Sequence, residues 1–126
     1  MTISPSDTSS ADTPYGMRLL AADVWVCDER ALTDLGSIKD ALYGAAEVGK
    51  ATVLGELFHV FPNDAVTGVL VLAQSHLSIH TWPELRLANV DLLSYGALQG
   101  DAMLEFIERA FDAERVNATW ILRATG

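Results

Sequence analysis

Basic residues are scarce. The 126-residue chain has 8 Lys and Arg against 17 Asp and Glu, a net charge of −9. Nucleic-acid binding needs clustered Lys and Arg on phosphates, and these eight are scattered, which excludes that class. The acidic balance maintains solubility and would attract a cationic small molecule. Cysteine is almost absent. Cys27 stands alone, so no internal disulfide framework exists, and the chain fits a reducing cytoplasm. Long apolar runs are missing too. No stretch approaches the ~18–20 apolar residues of a membrane span. The first residues lack a basic region followed by an apolar one, so no secretory signal is expected. No Gly-x-Ser-x-Gly elbow marks a hydrolase nucleophile.

Half of the residues are hydrophobic and 20% are charged, enough for one real core. Domains of this size gain stability by pairing, so a homodimer of processed protomers, or a higher assembly, is expected. Residues 1–14 are rich in Ser, Thr, Asp and Pro and read as a disordered tail. Residues 15–126 read as a single domain.

Met17 to Cys27 has the apolar character of a strand. Ser37 is the expected N-cap of a helix over Ile38–Val48, whose Ile38, Ala41, Leu42, Ala45 and Val48 share one stripe. Gly49 is expected to end it in the left-handed conformation. Ala51–Val60 and Ala65–Ala73 are strands around the turn signal Pro62-Asn63-Asp64. His76–Trp82 and Leu87–Leu93 are two more. Gly100–Ala113 is a second amphipathic helix, burying Met103, Leu104, Ile107, Ala110 and Phe111, and Asn117–Arg123 a final strand. The order βαββββαβ predicts an α+β fold: a two-layer α/β sandwich, with two helices on one face of a mostly antiparallel sheet. The strands are apolar enough that the other face is expected to meet a second copy.

The informative segment runs from Ser75 to Glu84, Ser-His-Leu-Ser-Ile-His-Thr-Trp-Pro-Glu. Alternation places His76, Ser78, His80 and Trp82 on one strand face. These groups donate, accept and shuttle protons, so the face is either a chemical site or a polar interface. His76 and His80 lie ~13 Å apart along a strand, too far to share one metal ion, and no metal is expected.

This segment closely resembles the processing site of prokaryotic S-adenosylmethionine decarboxylases, Glu-Ser-His-(Ile/Leu)-(Ser/Thr)-Ile-His-Thr-(Phe/Trp/Tyr)-Pro-Glu. Phe58-His59-Val60-Phe61 resembles that family's Phe-His-x-Phe, and Ala65 to Val71 its Gly-Val-Ser-Gly-Val-Val-Val strand. The likeness runs from about Gly16 to Gly96. It implies a proenzyme that cuts itself between Gln74 and Ser75. The Ser75 residue would become a pyruvoyl cofactor, whose carbonyl forms a Schiff base with the substrate amine and supplies the electron sink that no side chain offers. The resemblance assigns His80 as the base of processing and Thr67 as its hydroxyl partner. It assigns Phe61 to the adenine and Glu84 to the ribose hydroxyls.

The family's Glu before the serine is Gln74 here. Its catalytic cysteine, the proton donor, falls at Tyr95, and its histidine after the opening glycine falls at Arg18. The implied activity is decarboxylation of S-adenosylmethionine for spermidine synthesis. Two alternatives accompany it: a pyruvoyl decarboxylase of ornithine or arginine, and a catalytically silent partner subunit.

Overall fold

A computed structural model of the protein describes residues 2–3, 16–94, 96 and 98–123. Apart from Thr2–Ile3, the expected tail over 1–14 lies outside the described residues, as does Tyr95. The elements are β1 (Thr2–Ile3), β2 (Arg18–Val26), α1 (Leu35–Val48), β3 (Val53–Val60), β4 (Val66–Leu72), β5 (His76–Trp82), β6 (Leu87–Ser94), α2 (Gly100–Ala110) and β7 (Ala113–Leu122). All pair antiparallel in the order β1-β7-β2-β6-β5-β4-β3. The two-layer α+β sandwich read from the element order is the observed fold.

Strand alternation explains the layers. Leu20, Ala22, Val24 and Val26 of β2, Leu70 of β4, Leu77 and Ile79 of β5, and Ala88, Val90 and Leu92 of β6 are buried. They pack in one core with Ile38, Leu42 and Ala45 of α1 and Met103 and Ile107 of α2. Each fully buried Val, Leu, Ile or Met side chain among them contributes about 1.5–3 kcal/mol of transfer free energy. The intervening residues form the open face, which the helices leave uncovered.

Several local expectations shift. α1 starts at Leu35, and Asp34 is its N-cap, not Ser37. Ile38 N–H already donates to Asp34 O, and the Ser37 hydroxyl donates to Asp34 Oδ2 at 2.6 Å. Val48 is 39% exposed rather than part of the buried stripe. Gly49 is right-handed, with φ −79°, and Lys50 takes the positive φ of 62°. Glycine is needed at 49 for space, since a Cβ there would lie 2.3 Å from Met103 Cγ. α2 stops at Ala110, which is exposed. Asp112, with φ 50°, turns the chain so that β7 begins at Ala113 and pairs along the length of β2.

Candidate functional site

The open face carries a polar row. Asn117, Asp23, Asn89, His80, Thr67 and His59 are successive ladder partners on β7, β2, β6, β5, β4 and β3. His80 is its chemical centre. Thr67 Oγ1 lies 2.5 Å from His80 Nδ1, so the hydroxyl fixes the imidazole and leaves Nε2 for proton transfer. Aromatic rings surround it. Phe61 meets His80 edge-on at 5.8 Å between centroids, His59 meets Phe61 at 4.6 Å, and Trp82 meets His80 at 4.3 Å.

Phe61, His80 and Trp82 line an open cavity of about 420 Å³, completed by Pro62, Asn63, Ala65 and Glu84. Two turns shape it. Asn63 Oδ1 accepts from Ala65 N–H in the β3–β4 turn, and Asn63 Nδ2 donates to Glu84 Oε2 at 3.4 Å. Glu84 itself lies in the 3₁₀ turn Pro83–Leu85 after β5. Buried Thr81 ties these parts together. Its hydroxyl donates to Leu32 O at 2.9 Å and accepts from Val66 N–H at 2.8 Å. An aromatic-walled cavity with one carboxylate and one imidazole suits an amphipathic, cationic ligand with a flat ring.

Ser75 lies elsewhere. Leu72 to Ser75 form a tight hairpin turn closed by Ser75 N–H to Leu72 O at 3.1 Å and Leu72 N–H to Ser75 O at 2.9 Å. The Gln74–Ser75 peptide therefore sits at the corner of that turn. The Ser75 hydroxyl donates to Leu93 O on β6. Gln74 Oε1 accepts from Thr52 N–H at 3.4 Å, so this Gln anchors the turn to the start of β3. Ser75 stands at one end of β5 and the His80 cavity at the other. At ~3.3 Å per residue the two are about 16 Å apart within one chain.

Of the site residues read from sequence, the structure thus brings together Thr67, His80, Phe61 and Glu84. It holds Ser75 and Gln74 apart from them. Ser94, the neighbour of Tyr95, is buried and pairs with Arg18, at the Ser75 end of the sheet. Arg18 lies over the Trp120 ring at 4.3 Å. Cys27 is exposed beyond the opposite end of β2, where its thiol donates to Glu114 at 3.5 Å and is pushed up in pKa by that contact. Partial desolvation also pushes the carboxyl of Asp91, exposed on the open face, upward. Among the described residues no three His, Cys, Asp or Glu side chains gather as a metal site. No described helix is long and apolar enough to cross a membrane.

Three residues of the site escaped the sequence reading. Thr81 was hidden inside the motif on the apolar face. Asn89 and Asp23 join the cavity only through strand pairing: Trp82 Nε1–H donates to Asn89 Oδ1 at 2.6 Å, and Asn89 Nδ2 to Asp23 Oδ1 at 2.8 Å.

A family profile described as S-adenosylmethionine decarboxylase matches residues 18–124. An S-adenosylmethionine decarboxylase proenzyme of Caldanaerobacter subterraneus is 39% identical over 107 residues, covering 84% of this chain and 86% of the relative. One from Acidithiobacillus ferrooxidans is 36% identical over 99 residues, 78% of this chain and 74% of the relative. The crystal structure of adenosylmethionine decarboxylase from Aquifex aeolicus superposes with a TM-score of 0.80 at 28% identity, covering 87% of this chain and 92% of that one.

Proposed function

The chain belongs to the S-adenosylmethionine decarboxylase family, and from that premise we propose that it is a self-processing, pyruvoyl-dependent decarboxylase of S-adenosylmethionine serving polyamine synthesis. The observation that carries this reading is the Thr67–His80 pair set in the aromatic cavity with Glu84. Phe61 offers a ring face for the adenine, and Glu84 offers carboxylate oxygens for the ribose hydroxyls. The acidic chain favours the approach of a sulfonium cation.

Residues at the turn fit the making of the cofactor. Ser75 Oγ is a donor to Leu93 O and keeps its lone pairs for attack on the Gln74 carbonyl. Attack forms the Gln74–Oγ ester bond and breaks the peptide C–N bond, while the hydroxyl proton passes to the freed Ser75 amine. His80 then removes the Ser75 α-proton, and the Cβ–O bond breaks to release the Gln74 carboxylate. Tautomerisation and hydrolysis, with one water consumed and ammonia lost, leave a pyruvoyl group at residue 75. When present, that group supplies the electron sink for loss of CO₂. Tyr95 stands as proton donor in place of the family's cysteine, with a reference pKa of about 10 against about 8.5.

His80 acts on Ser75 only if they meet, and the ~16 Å between them within one chain requires a second copy. A two-fold pairing of open faces carries the His80 end of one β5 over the Ser75 end of the other, and the reverse. The active form is then a homodimer with two shared sites in the cytoplasm.

Intact mass of the purified protein tests this reading. Fragments 1–74 and 75–126, the latter with a blocked pyruvoyl end, are expected, together with CO₂ release from S-adenosylmethionine. A chain that stays whole on incubation, and indistinguishable from Ser75→Ala, would refute it.

A further inference from the structure

The Asn89 amide sits between a group that can only donate and a group that, when ionised, can only accept. The Trp82 indole N–H donates to Asn89 Oδ1, and Asn89 Nδ2 donates to Asp23 Oδ1. A single amide satisfies both neighbours, and only in this orientation. Asp23 therefore sets which way the Asn89 amide points, and the amide sets where the indole is held. Trp82 in turn lies 4.3 Å from the His80 ring and forms one wall of the cavity. Within its own chain Trp82 is 40% exposed, so the packing of that chain alone leaves it room to turn.

We infer that Asp23 and Asn89 are positioning residues that lock the Trp82 indole as a fixed wall of the His80 cavity, and so set the affinity for substrate. The inference deepens the function proposed above and rests on it. Neither residue touches the reacting atoms. Both act through Trp82, on binding rather than on the chemical step.

The hydrogen-bond polarity makes a sharp test. Asn89→Asp places a carboxylate against that of Asp23 and removes the amide donor. Asp23→Asn with Asn89→Asp restores the chain in reverse: the new carboxylate accepts from both Trp82 Nε1–H and the new amide at 23, with net charge unchanged. The first readout is the indole N–H resonance of Trp82 in nitrogen-15 spectra, identified by its loss in Trp82→Phe. It is expected to shift and broaden in Asn89→Asp and to return in the double variant. The second readout is turnover of S-adenosylmethionine. KM is expected to rise about tenfold in Asn89→Asp with kcat within about twofold, since uniform binding is what is lost, and to recover in the double variant. If Asn89→Asp does not fold, Asn89→Ala carries the same expectation for the resonance and for KM. An unchanged indole resonance in the single variants, or a double variant as impaired as Asn89→Asp, overturns the inference. A wild-type protein that neither cuts itself nor turns over S-adenosylmethionine refutes the function instead, and the indole resonance still decides the positioning chain.

Discussion

Thr67 and His80 face each other across the β4–β5 ladder, with the threonine hydroxyl 2.5 Å from His80 Nδ1. The pairing holds the ring at Nδ1 and sets its tilt before any substrate arrives. Thr67→Val removes the oxygen and keeps the shape. Self-cleavage is expected to slow about tenfold or more, because positioned proton transfer commonly contributes ~10²–10⁴. Thr67→Ser keeps the hydroxyl and should cut close to the wild-type rate. Intact mass over time separates the two, and equal rates in Thr67→Val and wild type would remove Thr67 from processing.

The stability contribution of the Asp91 carboxyl depends on pH. Asp91 is exposed on the open face, and partial desolvation there is the main cause of its raised pKa; His76 works against it and Asp23 adds to it. Its folded value lies above the reference 3.8, so the folded state is penalised as pH rises through that range and the carboxyl ionises. Asp91→Asn removes the penalty. The variant should melt above wild type at pH 7, and the difference should vanish below pH 3.8. Melting curves at both pH values check this, and a variant less stable at pH 7 would show that the carboxylate has a favourable partner.

What the sequence made legible follows the range of each interaction. Alternation along β5 is local, so the shared face of His76, Ser78, His80 and Trp82 was readable. The element order was readable too, because each apolar run is bounded by turn residues. The Asp23–Asn89 bond spans 66 positions and depends on the β2–β6 register, which no single strand encodes. Helix ends failed for a related reason. Gly49 looked like a left-handed cap, but its small size answers Met103 of α2, a contact between distant segments. The motif brought Ser75 and His80 together in sequence, whereas the strand between them holds them apart.

Gly44 sets two magnitudes against each other. A Cβ there would lie 2.2 Å from Phe106 Cζ, at the packing of α1 on α2. Gly→Ala within a helix gains about 1 kcal/mol of propensity. Overpacking costs about 1–3 kcal/mol. The clash should win by about 1 kcal/mol, lowering Tm by about 3–6 °C for a domain of this size. A rise in Tm would mean that the Phe106 ring swings aside at little cost.

The separation of Ser75 from His80 makes shared sites testable without a structure of the assembly. Ser75→Ala and His80→Ala should each remain uncut alone, the first lacking the nucleophile and the second the base. Expressed together, they form mixed dimers. One site of such a dimer has Ser75 from the His80→Ala chain and His80 from the Ser75→Ala chain, and it is complete. The other site lacks both groups. Only His80→Ala chains should then be cut, into 1–74 and 75–126. With equal amounts and random pairing, about half of them lie in mixed dimers. The mass of the C-terminal fragment is the same from either chain's numbering except at residues 75 and 80, so the substitution it carries identifies its source. Cleavage of His80→Ala chains by themselves would show that His80 is not the base. No cleavage in the mixture, with mixed dimers present by native mass, would place each site within one chain and require β5 to bend far from the strand it forms here.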